Sequence, residues 1–496
     1  MASSSTETEL KFRLGPGAVV RLSGHPALQG AQTTDRLRST YFDTPDDALA
    51  AAGFSLRVRA TRNGFVQTLK RQIAPGQTAR DEWEVPVVEE GLDLAALKHT
   101  PAHRLLKGRR KALSPRFVSA VVRRTRLTAT DGAEIEAAFD AGELSADERR
   151  EPIYELELEL KSGPRQALFD LARRLVDDLP VFPVFESKSE RGRRLALGAR
   201  LSPRGAVHAP LSPNASASEA FRRIALACLA QVSANAELLR TARRPEAVHQ
   251  MRVGLRRLRA ALSIFRPLLD KPGRERIEAE LKWLAHESDI ARDLDVFIRE
   301  VFHPAALAAP SPDLAPLGRS LLAARTQAYD RVMAGLQSSR YARLALETLI
   351  WVETASLPDQ AADAFAKQAL DSLHRKIARR GRDLARMSAK ERHRLRIQAK
   401  RLRYGAEFFG DLFGKGSKKR RRRYLKTLED VPETLGALND LAVARDRIPF
   451  EGGLNDPIVA FAAGRIIGRR EGDETALLAA AVKAEARFRA ARPFWR

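Results

Sequence analysis

Cysteine is almost absent from this 496-residue sequence, which contains Cys228 and no other. A single cysteine excludes an internal disulfide and a cysteine-based zinc site, so nothing indicates an oxidising compartment. Cys228 lies in the apolar, helix-like run FRRIALACLA, which predicts an ordinary core residue.

Long apolar runs are missing as well. No stretch approaches the roughly 20 apolar residues of a membrane-spanning helix, and the first residues lack the basic and apolar regions of a signal peptide. We therefore expect a soluble, cytoplasmic protein without a membrane partner. With 44 % hydrophobic residues, the chain is long enough for two or three domains with separate cores.

Two common catalytic signatures are also absent. The sequence has no G-x-x-x-x-G-K-[ST] loop, which argues against a P-loop nucleotide hydrolase, and no recognisable Ser-His-Asp or Cys-His arrangement. Aromatic residues make up 6 %, and few of them accompany the basic segments described below. Stacking on nucleic-acid bases therefore has little support.

Positive charge is abundant and unevenly distributed. The chain has 86 Lys and Arg against 62 Asp and Glu, a formal charge of +24. Up to residue 200 there are 32 basic and 28 acidic residues, a net of +4, whereas the remainder has 54 against 34, a net of +20. The second part should therefore attract a polyanion, of which nucleic acid is one kind and inorganic polyphosphate another.

Two kinds of periodicity divide the chain. Up to about residue 190, segments alternate with period two, which predicts strands. Later runs are rich in Ala, Leu, Arg and Glu and carry the 3.6-residue apolar period of helices. The stretch 201–216, which contains Pro and Ser, predicts a linker. We expect an α+β protein with a strand-rich domain at 5–200 and a helical domain at 217–490.

The predicted strands carry charge on one face. Residues i and i+2 of a strand lie on the same side, so ETELK places Glu7, Glu9 and Lys11 together. Solvated faces explain any one such strand, but they usually mix both signs. If the sheet closes into a barrel with these faces inward, a divalent cation would neutralise its acidic wall and a chain of phosphates its basic wall. Other rows at this spacing are Arg57 and Arg59, Glu82 and Glu84, Arg124 and Arg126, and Glu155, Glu157 and Glu159.

The E-x-E-x-K pattern near the N-terminus resembles the hallmark of the CYTH domain, the family of triphosphate tunnel metalloenzymes. The resemblance covers about residues 5–200. It implies an eight-stranded antiparallel tunnel that hydrolyses a triphosphate with Mg²⁺ or Mn²⁺. Further motifs match in order and spacing: YFDT (41–44), LRVR (56–59), TLK (68–70), R-x-E-x-E (80–84), ELELE (155–159) and SKSERG (187–192).

The same resemblance implies roles for individual side chains. Lys70, Glu82 and Glu84 would be catalytic, with the glutamates binding a second metal ion or orienting the attacking water. Which members of the last glutamate row hold metal stays open, because the row is one repeat longer than the family's pair. The implied metal ligands are Glu7, Glu9, Glu155, Glu157 and Glu159. The implied triphosphate ligands are Lys11, Arg57, Arg59, Lys70, Arg124, Arg126 and Lys188.

Two segments of the helical half repeat one another. HQMRVGLRRLR (249–259) and HRLRIQAKRLR (393–403) both begin with a histidine that is followed by bases at +3, +7, +8 and +10. Positions 0, +3, +7 and +10 lie on one side of a helix. A solvated helix face explains one copy, but the repeat favours two basic faces that form a groove for phosphates. These residues are His249, Arg252, Arg256, Arg257, Arg259, His393, Arg396, Lys400, Arg401 and Arg403.

This pattern resembles the CHAD domain, the conserved-histidine α-helical domain, over about residues 217–490. The resemblance implies a bundle of two related four-helix halves that binds inorganic polyphosphate. A shorter echo follows each copy, at ARDLDVF (291–297) and LNDLAVA (438–444). Its acids are expected to orient the arginines through ion pairs: Asp293, Asp295 and Asp440.

The run KKRRRR (418–423) is less diagnostic. It is expected either to extend the basic groove or to form a mobile loop whose charge is screened by salt.

Three functions stay open at the level of sequence. The first is a metal-dependent inorganic triphosphatase whose helical domain captures polyphosphate, and the second is a polyphosphate-targeting protein with an inactive tunnel. Nucleic-acid binding is the third. Within the enzyme class, thiamine triphosphate or a nucleotide could replace inorganic triphosphate, although the second domain favours the inorganic substrate. The oligomeric state is unknown from sequence.

Overall fold

The chain folds into two compact units in a computed structural model that describes residues 3–15, 17–72, 78–446 and 456–496. The first unit comprises 1–204 and 337–353, and the second comprises 205–336 and 354–496.

The first unit is a closed antiparallel ring of eight strands, as predicted. The ring order is β5–β4–β3–β2–β6–β7–β8–β1, and β1 closes it by pairing with β5 between Thr8 and Ala79. A ninth, short strand adds to β1 outside the ring order. The described strands are β1 (Ser3–Leu14), β2 (Gln32–Asp43), β3 (Phe54–Thr61), β4 (Gly64–Arg71), β5 (Ala79–Val87), β6 (Ser114–Thr130), β7 (Ala133–Ala146), β8 (Arg149–Ser162) and β9 (Val181–Pro183).

Apolar residues cover the outside of the ring and thereby turn the charged faces inward. On β8, Leu156 and Leu158 are fully buried and alternate with the glutamates of the ELELE row. Helix α3 (Arg165–Asp178) packs against this strand and buries Leu168 and Leu171. Each buried leucine contributes about 1.5–3 kcal/mol, so the period of two fixes which side chains enter the tunnel.

Short helices complete the first unit. In the YFDT motif, the Asp43 carboxylate accepts hydrogen bonds from the backbone N–H groups of Leu49 and Ala50, both at 2.9 Å. This motif therefore positions a helix rather than a ligand. Besides α3, the helices are α1 (Ala18–Ser23), α2 (Ala48–Ala51), α4 (Lys188–Ala196) and α11 (Ser339–Thr354), with 3₁₀ turns at Ala96–His99, Pro101–His103 and Arg110–Ala112.

The regular elements of the second unit are all helices within its described residues, apart from an isolated β-bridge between Ser216 and Ala361. Its α-helices are α5 (Ala217–Thr241), α6 (Pro245–Ile264), α7 (Lys271–Glu287), α8 (Asp289–Phe297), α9 (His303–Ala308), α10 (Leu314–Gln337), α12 (Ala362–Gly381), α13 (Ala389–Phe408), α14 (Lys418–Asp446), α15 (Pro457–Glu471) and α16 (Glu474–Ala490). A π-helical segment at Ile298–Phe302 joins α8 to α9, and 3₁₀ turns lie at Leu384–Arg386, Gly410–Phe413 and Lys415–Ser417.

Four aromatic rings join the two halves of the helical repeat. Phe265 stacks on Phe365 at 4.8 Å between ring centroids and lies 5.3 Å from Phe221 and 5.7 Å from Phe409. The pairs 221 with 365 and 265 with 409 are each 144 residues apart, as are the two motif histidines at 249 and 393. One internal repeat thus supplies both the core and the basic faces.

None of the helices in the described residues is long and apolar enough to cross a membrane.

Candidate functional site

A charged cavity of about 220 Å³ lies inside the strand ring. Eleven of the predicted tunnel residues line it: Glu7, Glu9, Lys11, Arg57, Arg59, Lys70, Glu82, Glu84, Glu157, Glu159 and Lys188. Nine further residues line it: Tyr41, Ser55, Thr68, Arg80, Arg123, Glu136, Lys161, Ser187 and Ser189.

Strand β1 delivers its charged row to one wall of this cavity. The Lys11 ammonium lies 3.3 Å from Glu9 and 3.1 Å from Glu157, and the Arg80 guanidinium lies 2.7 Å from Glu9. Burial opposes ionisation of Glu9, but Lys11, Arg80 and Lys70 together hold its pKa below the usual value. Glu9 is therefore an ionised carboxylate in a buried position.

A second acidic group forms where β1 meets β4 and β5. The Lys70 ammonium donates to Glu7 at 2.6 Å and lies 3.2 Å from Glu82. Burial and a hydrogen bond with Glu7 raise the pKa of Glu82 to about 8. Burial opposes ionisation of Glu7, yet the Glu82 hydrogen bond and Lys70 lower its pKa to about 2. The two carboxyl groups thus share one proton at neutral pH.

The opposite wall has an excess of positive charge. Arg59 donates from Nε to the Ser39 hydroxyl at 3.1 Å, and no carboxylate among the described residues forms a salt bridge with Arg57 or Arg59. Burial, followed by repulsion from Arg57 and Arg123, lowers the pKa of Arg59 to about 10. Buried guanidinium groups without an acidic partner are costly, and an anion between them would relieve that cost.

The floor of the cavity is held by Lys188 from the SKSERG motif. Its ammonium lies 2.8 Å from Asp140, 2.8 Å from Glu157 and 3.1 Å from Glu155. Arg191 also binds Glu155, which is 1 % exposed and does not line the cavity. Of the three glutamates of the ELELE row, Glu157 and Glu159 face the cavity, whereas Glu155 supports its floor.

The register of β6 corrects two predicted phosphate ligands. Arg124 is exposed and lies 6.0 Å above the Phe139 ring, and Arg126 donates to the backbone carbonyls of Leu28 and Ser23. Both are outside the cavity. Their neighbour Arg123 enters it instead and binds Glu157 at 2.6 Å.

The strand carries bases on both of its faces, Arg123 on one and Arg124 and Arg126 on the other, so the sequence alone left open which face enters the tunnel. The signal that resolves it is Asp140, which lies opposite Arg123 in the β6–β7 pairing and binds it at 2.7 Å. Two other basic residues that line the cavity were not predicted: Arg80, two residues before Glu82 in the R-x-E-x-E row, and Lys161, two residues after Glu159.

The carboxylates fit a hard divalent cation by chemistry. Glu9 Oε1 is buried and accepts no hydrogen bond from the described residues. Its contact with the Arg80 guanidinium at 2.7 Å is an ion pair without hydrogen-bond geometry. Together with Glu7, Glu157 and Glu159, Glu9 supplies the oxygen ligands that Mg²⁺ and Mn²⁺ prefer. Lysine and arginine side chains form ion pairs with these carboxylates. Within the residues described, no three His, Cys, Asp or Glu side chains are placed so that they could hold a metal ion together.

The second unit contains a basic groove, formed by two adjoining cavities of about 1140 and 760 Å³. Helices α6 and α13, which carry the two repeated segments, pack against each other beside it. The residues common to both cavities are His249, Arg256, Arg292, Asp293, Val296, Arg396, Lys400, Tyr404, Asp440 and Val443.

Burial and, after it, charge repulsion lower several pKa values in the basic groove. Burial, then Arg396, Arg256 and Arg403, lowers the pKa of Lys400 to about 7. Burial, then Arg292, lowers the pKa of His249 to about 4. A bound polyanion would reverse both shifts.

Nine of the ten predicted groove residues line one or both cavities. The exception is Arg257, which is buried, donates to Glu407 at 2.6 Å and lies over the Phe408 ring at 4.9 Å. Its counterpart Arg401, at +8 from His393, does line the second cavity, so the +8 position alone does not decide whether a base enters the groove. Arg252 and His393 line the second cavity but are also anchored, to Asp289 at 2.6 Å and to Asn439 at 2.7 Å.

The acids of the echo separate into two roles. Asp293 and Asp440 line the groove, and attraction to Asp440 partly offsets the lowering of the Arg396 pKa. Asp295 does not orient the groove arginines as expected, because it accepts hydrogen bonds from Arg325 and the Tyr329 hydroxyl, both at 2.7 Å. The same echo contains Arg292, a groove residue that sequence reasoning missed.

Comparisons with known proteins agree with this division. The sequence matches the CYTH domain over residues 5–191 and the CHAD domain over residues 223–449. It is 32 % identical over 197 residues to an inorganic triphosphatase from Haemophilus influenzae, which covers 38 % of this chain and 54 % of that relative. The fold is similar to the crystal structure of the CHAD domain from the plant Ricinus communis, with a TM-score of 0.52 and 33 % identity, over 59 % of this chain and 98 % of that one.

Proposed function

Because this chain joins a CYTH domain to a CHAD domain, we propose that its tunnel hydrolyses inorganic triphosphate and that its helical unit binds inorganic polyphosphate. The observation that carries the first part is the segregation of charge in the tunnel. Arg57 and Arg59 are half-buried opposite a wall of carboxylates, and among the described residues neither forms a salt bridge with a carboxylate. Arg57 interacts with Tyr41 and Glu82, whereas the pKa of Arg59 is lowered. A triphosphate that bridges the two walls through a divalent cation satisfies both.

Each wall has a defined task in this proposal. Glu7, Glu9, Glu157 and Glu159 hold the cation, Mg²⁺ or Mn²⁺, which supplies Lewis-acid activation when bound. Arg57, Arg59 and Arg123 bind the phosphate oxygens and stabilise the charge that develops there, while Lys11 and Lys188 complete the basic lining.

The remaining residues act on the attacking water and the transferred phosphoryl group. Glu82 and Glu84 orient the water for in-line attack, and Thr68 fixes Glu84 by donating to it at 2.8 Å. Lys70, held between Glu7 and Glu82, contributes positive charge beside them. Such positioning and electrostatic stabilisation account for most of the catalysis of phosphoryl transfer.

The size and lining of the tunnel support an inorganic substrate over a nucleotide or thiamine triphosphate. Its volume of about 220 Å³ is below the range of about 300–1,000 Å³ common for organic ligands. Among the described residues that line it, Tyr41 is the only aromatic one, so a purine or a thiazole ring has little to stack on.

Phosphate release tests the tunnel proposal. The purified protein is assayed with inorganic triphosphate, ATP and long-chain polyphosphate, each with Mg²⁺, Mn²⁺ or a chelator. We expect metal-dependent release that is fastest on inorganic triphosphate. Absence of release from all three, with polyphosphate binding retained, would instead support a targeting protein with an inactive tunnel.

The proposal for the helical unit is carried by the basic residues that line both cavities, among them Arg256, Arg396 and Lys400. Burial and then Arg396, Arg256 and Arg403 lower the pKa of Lys400 to about 7, which agrees with an excess of positive charge there. A groove that suppresses ionisation of its own lysine gains electrostatic free energy when a polyanion enters. Binding is measured by titrating labelled polyphosphate, with duplex DNA and single-stranded RNA as competitors. We expect polyphosphate to displace both nucleic acids at far lower concentration than the reverse, because the groove offers few aromatic faces.

A further inference from the structure

The basic run Lys418–Arg423 is helical and forms the first turns of α14, so it is not a loop. Neither groove cavity includes it. Lys418, Lys419, Arg420, Arg422 and Arg423 are solvent-exposed, whereas Arg421 lies 3.7 Å from Asp411.

This placement is unfavourable for the helix itself. The N-terminal end of a helix carries a partial positive charge, which basic residues in the first turns repel. Lys418 and Arg422, and likewise Lys419 and Arg423, repel each other at i,i+4 spacing. A bound polyanion would offset both effects.

The run also continues the face of α14 that lines the groove. Residues 18 apart on a regular α-helix are separated by five turns and lie on one line. Helix α14 contains Pro432 and is helical on both sides of it, from Lys418 to Asp446. Lys418 is 18 residues before Gly436, and Arg422 is 18 residues before Asp440; Gly436 and Asp440 both line the first cavity. Arg420, by contrast, is 18 residues before Leu438, which is buried.

The gap between the groove and the run is short. Glu429 is the first groove-lining residue of α14, and its carboxylate is already bound by Arg403 at 3.0 Å. Arg422 lies seven residues earlier, about 10 Å along the helix axis. The exposed Lys426 stands between them.

We propose that Lys418, Arg422 and Lys426 form an exit track, on which the part of a long polyphosphate chain that protrudes from the groove is bound. The inference rests on the proposed polyphosphate binding by the helical unit. The exit track makes the affinity for polyphosphate depend on the length of the polyphosphate chain, because a polyphosphate that ends inside the groove never reaches the track.

Charge-reversal variants within the run Lys418–Arg423 test the exit track. Full-length wild type, the double variant Lys418→Glu/Arg422→Glu and the control Arg420→Glu are titrated with two polyphosphates, one short enough to fit the groove and one several times longer. We expect the double variant to lose about 10-fold in affinity for the long chain at low salt and to keep its affinity for the short one. Arg420→Glu and the single variant Arg422→Glu carry the same charge change, and only Arg422→Glu should weaken long-chain binding.

Equal losses in Arg420→Glu and Arg422→Glu would overturn the track, because they would indicate a general effect of charge. No loss in the double variant would overturn it as well. Failure of wild type to bind either chain would contradict the proposed function itself, so the two failures are distinguishable. Far-ultraviolet circular dichroism confirms that each variant keeps its helices.

Discussion

Buried arginines of the tunnel domain fall into two classes. Arg191 is fully surrounded by acceptors: Glu151 at 2.7 Å, Glu155, and the Pro152 carbonyl at 2.7 Å. Arg59 is half-buried, donates to the Ser39 hydroxyl at 3.1 Å and forms no salt bridge within the part of the chain that the structure describes, and its pKa is lowered. A satisfied guanidinium contributes to the fold, whereas an unsatisfied one destabilises it and is ready to bind a ligand.

The substitution Arg59→Gln separates these two roles. Because the side chain is proposed to bind phosphate, kcat/KM for triphosphate should fall by about 10²-fold or more. The thermal unfolding midpoint should stay constant or rise, since a buried unpaired charge is removed. Steady-state kinetics and calorimetry on the same preparation measure both.

Arg124→Gln is the matched control for Arg59→Gln, because Arg124 is exposed outside the tunnel. It should leave kcat/KM unchanged. A fall in the unfolding midpoint of Arg59→Gln without a loss of activity would show that Arg59 is a structural residue.

At Lys400, the lowered pKa makes polyphosphate binding depend on pH. In the protein without polyphosphate, Lys400 has a pKa of about 7 and is largely neutral above that pH. A bound polyanion favours the charged form of Lys400. Binding therefore takes up a proton, and affinity should fall by about 10-fold between pH 7 and pH 8.5. Fluorescence titration across this range measures the effect.

Lys400→Arg keeps its charge over the same range and should abolish this fall. The terminal phosphates titrate identically with both proteins, so the difference between the two curves isolates Lys400. Parallel curves would contradict the assignment.

Among the elements, α4 is decisive for the tunnel because it supplies Lys188. Ser187 caps this helix by accepting from the Glu190 N–H, and Glu190 accepts in return from the Ser187 N–H at 2.8 Å. Ser388 and Glu391 form the same capping box on α13. The local sequence thus determines the residue at which each helix begins. The start of the helix in turn determines where a charged side chain lies along its site.

Ser187→Ala and Ser388→Ala form a matched pair of predictions. Each should lower the free energy of unfolding by about 1 kcal/mol, the usual value for a helix N-cap. Only Ser187→Ala should also reduce triphosphate turnover severalfold, because Lys188 is the first residue of α4. Denaturant unfolding and phosphate release are the two measurements; equal turnover in both variants would show that the cap does not position Lys188.

For the whole molecule, the residues proposed for the two activities belong to different compact units. Glu9→Gln should abolish phosphate release from triphosphate and leave polyphosphate affinity unchanged. Arg396→Gln should weaken polyphosphate binding several-fold and leave triphosphate release unchanged. Phosphate release and polyphosphate binding are measured on both variants. A variant that stays folded but loses both activities would contradict the assignment of the two activities to separate sites.

The sequence alone determined the class of each part, because periodicity needs no tertiary information. Period-two alternation predicted strands up to about residue 190 and the 3.6-residue period predicted helices after it, while the resemblance to two families implied an eight-stranded tunnel and a helical bundle. The closed ring, the helical second unit and the matches to both families confirm these predictions. The assignment of individual ligands stays a prediction.

Only the tertiary structure decided phase and partners. A strand with bases at 123, 124 and 126 fits either face until Asp140 is seen opposite Arg123, and Arg257 belongs to the core because Glu407 and Phe408 meet it there. Glu155 likewise serves the floor because Arg191 reaches it from another element. Sequence spacing specifies which residues share a face, but the charge that each face meets comes from distant parts of the chain.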